Sequence, residues 1–313
     1  MSPEISNQWE DDDSLPEGRV MGNAIILPDG KVLVVNGANT GVAGYGNDSW
    51  VVDNSYADDP VYSPVIFDST QPAGKRWSRT GLKDSPIARM YHSTATLLPD
   101  GSVFIAGSNP HPDYTLNAKF PSEYRVERFY PPYYNKRRPE PKGLPTTLTY
   151  GGQYFEVQLS SQDLSNNPAN LKTTKVMVIK TGFSTHAINF GQRAIELDFT
   201  YTANSDGSAT LHVSQLPPNA ALVAPGPGWL FVVVDGVPSV GVPVMLGSGK
   251  IEVQTLLSVE ALPESTEVKG NPDTGSGNSD SDNSKKGASS VGASAHVAGA
   301  LLAVLATSMA LFA

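Results

Sequence analysis

The sequence predicts an all-β protein made of two different β domains, and three observations carry that expectation. Turn formers are abundant: 29 Gly and 25 Pro occur among 313 residues, above the ~12% that these two make up in average proteins. A Leu-Pro-Asp-Gly turn occurs twice, at Leu27–Gly30 and Leu98–Gly101, 71 residues apart. From Thr147 the pattern changes to a series of short apolar runs between turns, with no helical periodicity.

Residues 1–17 are polar and acidic, with Asp11-Asp12-Asp13 and no apolar stretch of the secretory-signal kind. From Gly18 a strand rich in small residues enters the first Pro-Asp-Gly turn, and a Val-rich strand leaves it and ends on Gly37. Pro sets φ, Asp tolerates the bend and Gly accepts a positive φ, so each of these turns has a mechanism. Tyr62–Asp68 and Lys75–Ser78 read as the outer strands of the same unit. The second copy enters through Ala95–Leu98 and leaves through Val103–Ile105 to Gly107. Strand, turn, strand, Gly and two further strands is a kelch-like repeat. Residues 1–135 are therefore expected to form a partial kelch-type β-propeller of about two blades, with the N-terminal blades missing, since propellers close with ~4–8. The segment Ala38–Asp59 reads as a long Gly/Asn/Asp-rich loop, and loops of that length are usually functional. Phe120–Pro145 reads as a connector whose basic trio Lys136-Arg137-Arg138 forms a solvated interdomain face.

Residues 136–258 read as an immunoglobulin-like β-sandwich. The expected strands are 147–150, 154–159, 174–180, 194–202, 210–215, 229–234 and 240–246. Residues 259–287 are Ser, Gly, Asn, Asp and Lys with almost nothing apolar, the composition of a disordered stalk. Residues 288–313 combine small residues, a short spacer and an uncharged apolar end, the pattern of a GPI-attachment signal. Such a signal acts only on an exported chain, which gives an expected location at the cell surface, on plasma membrane or cell wall. Together with the missing blades, the lack of a leader at Met1 leads to the expectation of further sequence upstream.

The formal charge is −9 and no long basic run occurs, so nucleic acid is not an expected partner. There is no cysteine, hence no thiolate metal site and no Cys nucleophile within the chain. Five histidines occur. His212 alternates with apolar residues and reads as a strand position, His111 lies between prolines and reads as a surface residue, and His296 falls in the apolar terminus's spacer. Tyr91 and His92 stand side by side before the second hairpin, an O,N donor pair of the kind Cu(II) accepts. His186 sits in a Gly-marked loop between two sandwich strands, 94 residues further on. A joint site needs that loop to reach the propeller.

The motifs Ala88-Arg89-Met90-Tyr91-His92-Ser93-Thr94-Ala95, Gly107-Ser108-Asn109-Pro110, Thr185-His186 with Gln192-Arg193, and Pro227-Gly228-Trp229 with Pro238-Ser239-Val240 carry a resemblance to a known family. Over residues 18 to about 258 the chain resembles the C-terminal part of fungal glyoxal oxidases, copper radical oxidases related to galactose oxidase. The resemblance implies a sandwich of the early-set, galactose oxidase C-terminal type, delivering a histidine to the propeller axis. It implies copper held by Tyr91, His92 and His186, with Tyr91 as axial phenol and base. It implies oxidation of small aldehydes, or of primary alcohols in related branches, by O2 with release of H2O2, by a monomer. The family's radical cofactor is a tyrosine cross-linked to a cysteine, and neither residue of that Tyr-Cys pair is found here: Arg76-Trp77 is followed by Ser78. The chain as written is therefore expected to be inactive alone. The rival reading is a non-catalytic GPI-anchored cell-surface protein with kelch and immunoglobulin-like domains that binds a glycan or a protein.

Overall fold

The computed structural model describes Trp9 and residues 11–267; the GPI-type segment 288–313, His296 and most of the expected stalk lie outside the described residues. The first domain contains β1 (Asn23–Ile26), β2 (Val32–Val35), β3 (Ala38–Tyr45), β4 (Ser55–Pro60), β5 (Val65–Phe67) and β6 (Trp77–Ser78), then β7 (Ser93–Leu97), β8 (Val103–Gly107) and β9 (Glu127–Phe129). Strands β1-β2-β5-β6 form one four-stranded blade, and β7-β8-β9 form a second sheet. The two Pro-Asp-Gly turns are equivalent: Gly30 and Gly101 have φ of 89° and 77°, and Leu27 and Leu98 each donate their N–H across the turn, at 2.8 Å. The segment expected to be a long loop is a β-hairpin instead. β3 pairs with β4 from Ala38↔Pro60 to Tyr45↔Ser55, because Gly and small residues along β3 let the two chains approach. The expected connector likewise contributes a strand, β9, which pairs with β8.

The second domain runs β10 (Thr147–Leu148), β11 (Tyr150–Gly152), β12 (Phe155–Leu159), a short 3-10 helix (Pro168–Thr173), β13 (Lys175–Lys180), β14 (Phe183–Thr185), β15 (Ile188–Phe190), β16 (Arg193–Leu197), β17 (Phe199–Ala203) and β18 (Ala209–Val213). It ends with β19 (Gly226–Val234), β20 (Val237–Pro238), β21 (Val242–Leu246) and β22 (Leu256–Val259). One sheet has the order β10-β21-β19-β13-β16 and the other β12-β18-β17, a two-sheet sandwich. The single strand expected over 194–202 is two: β16 pairs with β13 and β17 with β18, so the chain changes sheets at Asp198. The sandwich also extends past 258. β22 pairs with β11, and Thr266 exchanges backbone hydrogen bonds with Tyr201 and Ala203, so the expected stalk does not begin at 259.

The continuous apolar runs of β13 and β19 follow from burial on both faces. Side chains alternate across a strand. Val176, Val178, Leu230, Val232 and Val234 face the sandwich core, while Met177, Ile179, Phe231 and Val233 face outward. Those outward side chains join Ile25, Leu33, Ala95, Leu97, Val103 and Ile105 of the two blades in a second, interdomain core. Arg138 reinforces it. Its guanidinium donates to the carbonyls of Asp100 in the propeller turn and of Pro238 and Ser239 in the sandwich. The basic trio is therefore not a wholly solvated face, since Arg137 also bonds Gln162 O and the buried Asp163. Phe231 has no exposed surface. Phe231→Ala should lower unfolding stability by about 3–5 kcal/mol, read from urea denaturation, and it should loosen the two domains from each other.

Candidate metal centre

Residues 89–92 cross between the ends of β2 and β8. Gly37 N–H donates to Arg89 O at 3.0 Å, Asn109 N–H to Tyr91 O at 2.7 Å, and Ser108 Oγ accepts from Met90 N–H at 2.9 Å. The buried Arg89 holds this crossing: its guanidinium donates to Glu127, to Gly107 O and to Arg125 O. Met90 is fully buried beneath. Tyr91 and His92 are thus displayed by a segment fixed on both sides, with ring centroids 4.1 Å apart. His92 has a left-handed backbone, φ 66°, a region sparsely used by residues other than Gly.

His186 comes from the ribbon β14–β15, which extends the connection between the neighbouring strands β13 and β16. Thr185 pairs with Ile188, so His186 and Ala187 form a two-residue turn, with φ of 55° and 61°. Such turns match the twist of a hairpin but require two left-handed residues. Here neither is Gly, and strain of this kind persists only when the surroundings over-determine it. They do so at four points. Asn23, with no exposed surface, donates to Asn189 Oδ1 at 2.8 Å and accepts from Asn36 Nδ2 at 2.8 Å. Asn189 donates to Ala95 O in β7 at 2.9 Å. Gln192 donates to Ala24 O at 2.8 Å and accepts from Ile26 N–H at 3.2 Å, which satisfies the open edge of β1 as a neighbouring strand would. Ala187 is buried with Met21, Ala38, Ala57, Met90 and Phe120. Gly182 lets the ribbon leave β13, since a Cβ there would stand 2.0 Å from Phe190 O.

The ribbon brings the His186 ring to 6.3 Å from that of Tyr91. The structure therefore gathers Tyr91, His92 and His186 from two domains. His92 Nδ1 lies 2.9 Å from Asn109 O. A carbonyl only accepts, so Nδ1 carries the proton and Nε2 keeps its lone pair for a metal. His186 Nδ1 is 2.7 Å from Thr185 Oγ1, which orients the ring; a hydroxyl both donates and accepts, so this bond leaves the His186 tautomer open. Burial, and secondarily the phenol of Tyr45, pushes the Tyr91 hydroxyl above its ordinary pKa. One phenol oxygen and two imidazole nitrogens are a fitting donor set for Cu(II). Among the described residues no group of three or more His, Cys, Asp or Glu is placed to hold a metal, so the phenol is needed to make up three donors.

The other two described histidines, His111 and His212, make structural contacts. His111, expected at the surface, is buried, and its Nε2–H donates to Phe120 O at 2.7 Å. His212 sits in β18, bonded to Thr202 Oγ1. Tyr45 escaped the sequence reading. Its ring lies 6.2 Å from Tyr91 and 6.0 Å from His92, and the only signal was the length of the insertion that carries it. Glu123 lines a cleft beside His92, and hydrogen bonds from the Arg125 guanidinium hold its carboxyl at about 2. A depressed carboxylate contributes stability above its unfolded value, lost as pH falls through the folded one. The urea midpoint should therefore drop as pH falls from about 4.5 towards 2, and Glu123→Gln should flatten that drop.

Residues 2–133 match the glyoxal oxidase N-terminus family, and residues 138–246 match the galactose oxidase-like early set domain. The chain is similar to aldehyde oxidase GLOX1 of Arabidopsis thaliana, 33% identical over 235 residues, covering 73% of this chain and 36% of the relative. It is similar to aldehyde oxidase GLOX of Vitis pseudoreticulata, 36% identical over 237 residues, covering 74% of this chain and 42% of the relative. The chain thus spans only 36% and 42% of the length of these two relatives. A solved fungal alcohol oxidase of the AA5 family, in complex with copper, shares the fold with a TM-score of 0.56 at 22% identity, covering 76% of this chain and 44% of that one. With two consecutive domain matches that between them take in most of its residues, the chain belongs to the glyoxal oxidase and galactose oxidase-like family.

Proposed function

We propose that this chain is the copper-holding C-terminal part of a copper radical oxidase that converts small aldehydes to carboxylic acids. The observation that carries the reading is the convergence of Tyr91, His92 and His186 from two domains, with His92 fixed in the tautomer that leaves Nε2 free. The overall reaction balances as RCHO + H2O + O2 → RCOOH + H2O2. Copper, when bound, supplies a one-electron acceptor; a second must come from a tyrosyl radical. The chain has no cysteine, so the Tyr-Cys form of that radical cannot be built from its own residues. His92 and His186 would hold the metal through imidazole nitrogen, and the backbone at Asn109 and the Thr185 hydroxyl orient their rings. Tyr91 Oη takes the substrate proton. Burial, which raises the Tyr91 hydroxyl's pKa, favours the protonated phenol and so suits Tyr91 to hold a proton once it has received one. The same reading takes the protein to the cell surface as a monomer, tethered through a GPI-type signal at 288–313.

Tyr91→Phe, His92→Ala and His186→Ala should each weaken Cu(II) binding by more than the ~10–100-fold typical of losing an outer partner, while Thr185→Val should fall within that range. Titration followed by copper EPR reads both. For the activity, the product of the complete transcript should release peroxide from methylglyoxal under O2, and residues 1–313 alone should bind copper but release none. A transcript that starts at Met1, with no peroxide from its product, would replace this reading by the non-catalytic surface protein.

A further inference from the structure

We propose that Asn47 is an N-glycosylation site, the attachment point of an oligosaccharide on the β3–β4 hairpin. The inference rests on the reading above that takes the chain to the cell surface, because this modification belongs to exported proteins. Of the chain's 18 asparagines, Asn47 alone stands two residues before a Ser or Thr, in Asn47-Asp48-Ser49. The intervening residue is Asp and the following one is Trp50, so no Pro blocks the acceptor triad. In the transfer, Asn47 Nδ2 attacks the anomeric carbon of N-acetylglucosamine in a lipid-pyrophosphate-linked oligosaccharide. The N–C bond forms as the C–O bond to pyrophosphate breaks. Nδ2 gives up one of its two protons, the lipid pyrophosphate leaves with the bonding electron pair, and nothing is oxidised or reduced.

A triad alone is common by chance, and the fold supplies what the triad lacks: its place and the direction of its amide. It lies in the connection between β3 and β4, where Asn47, Asp48 and Ser49 are all exposed. Beyond it, Asp53 and Asn54 form a two-residue turn. Val52 and Ser55 exchange backbone hydrogen bonds there at 3.0 and 2.9 Å, and the two turn residues have φ of 48° and 72°. Lys119 N–H donates to Asp53 Oδ2 at 2.8 Å and braces the turn. Asn54 then clasps the start of the triad. Gly46 N–H donates to Asn54 O at 2.9 Å, and Asn54 Nδ2 donates to Gly46 O at 3.0 Å and to Asn47 Oδ1 at 2.7 Å. These partners decide which way the Asn47 amide faces. A backbone carbonyl only accepts, so Asn54 must present its NH2 to Gly46 O. The same NH2 needs an acceptor on Asn47, which turns Oδ1 inward and leaves Nδ2, the nitrogen that takes the sugar, facing away from Asn54. On the other side, Asp48 accepts from Tyr56 Oη at 2.7 Å, and Val51 N–H donates to Asp48 O at 3.3 Å, so Ser49 and Trp50 form an exposed turn. The folded hairpin therefore has room for a bulky group on Nδ2, and the clasp through Oδ1 survives its attachment.

The test takes the product of the complete transcript, recovered from its own cells by surface biotinylation. Peptide mapping by mass spectrometry should find the Asn47 peptide carrying an oligosaccharide that begins with N-acetylglucosamine. Release by peptide N-glycosidase in heavy-oxygen water should leave a labelled Asp in place of Asn47. Asn47→Gln and Ser49→Ala should each lose the glycan, and Ser49→Thr should keep it. An unmodified Asn47 in the surface-recovered protein would overturn the proposal, and so would a glycan at Asn47 that persists in Ser49→Ala. If the product never leaves the cytosol, the location reading fails. Chain 1–313 expressed behind an added secretory leader then decides Asn47 by itself: a glycan there upholds the site, and a bare asparagine overturns it.

Discussion

The structure depends on the clamp between the β14–β15 ribbon and the inner strands of the two blades. Asn189 reaches β7, Gln192 satisfies the edge of β1, and Asn23 closes the network from beneath. A buried amide with every hydrogen bond made rigidifies its surroundings, whereas one left half-satisfied costs ~1–3 kcal/mol. The ribbon is consequently held in one position, and its turn residues, His186 and Ala187, tolerate left-handed backbones that no Gly relieves.

The same logic applies at His92. It too is left-handed, and it too is held from both sides, by Arg89 and Met90 before it and Asn109 beyond. Two histidines with uncommon backbone conformations, in different domains, converge on one phenol. The interdomain core makes that convergence durable. β13 and β19 each give one face to the sandwich and the other to the blades, so the strand that launches the His186 ribbon is itself part of the domain interface. Moving the donors apart would require opening apolar surface worth ~1.5–3 kcal/mol for each large side chain.

Much of this was legible in the residues. Period-2 alternation and the two Pro-Asp-Gly turns determined the hairpins of both blades, because those patterns act over a few residues. The apolar runs at Lys175–Lys180 and Gly226–Val234 marked buried strands. The adjacency of Tyr91 and His92 marked two neighbouring rings, which the structure places 4.1 Å apart. Tertiary structure alone decided the rest. Gln192 meets β1 across 168 residues of sequence, and Arg138 spans 100 to reach Pro238. Asp198 divides one apparent strand between two sheets, and Thr266 returns to the sandwich out of a stretch whose composition signals disorder. Tyr45 comes beside Tyr91 and His92 only because a Gly-rich segment folds back on itself. Local periodicity reports which face of a strand is apolar. It carries no information about which distant side chain completes an edge, fills a core or turns its ring towards a phenol, since those outcomes are set by the packing of whole sheets.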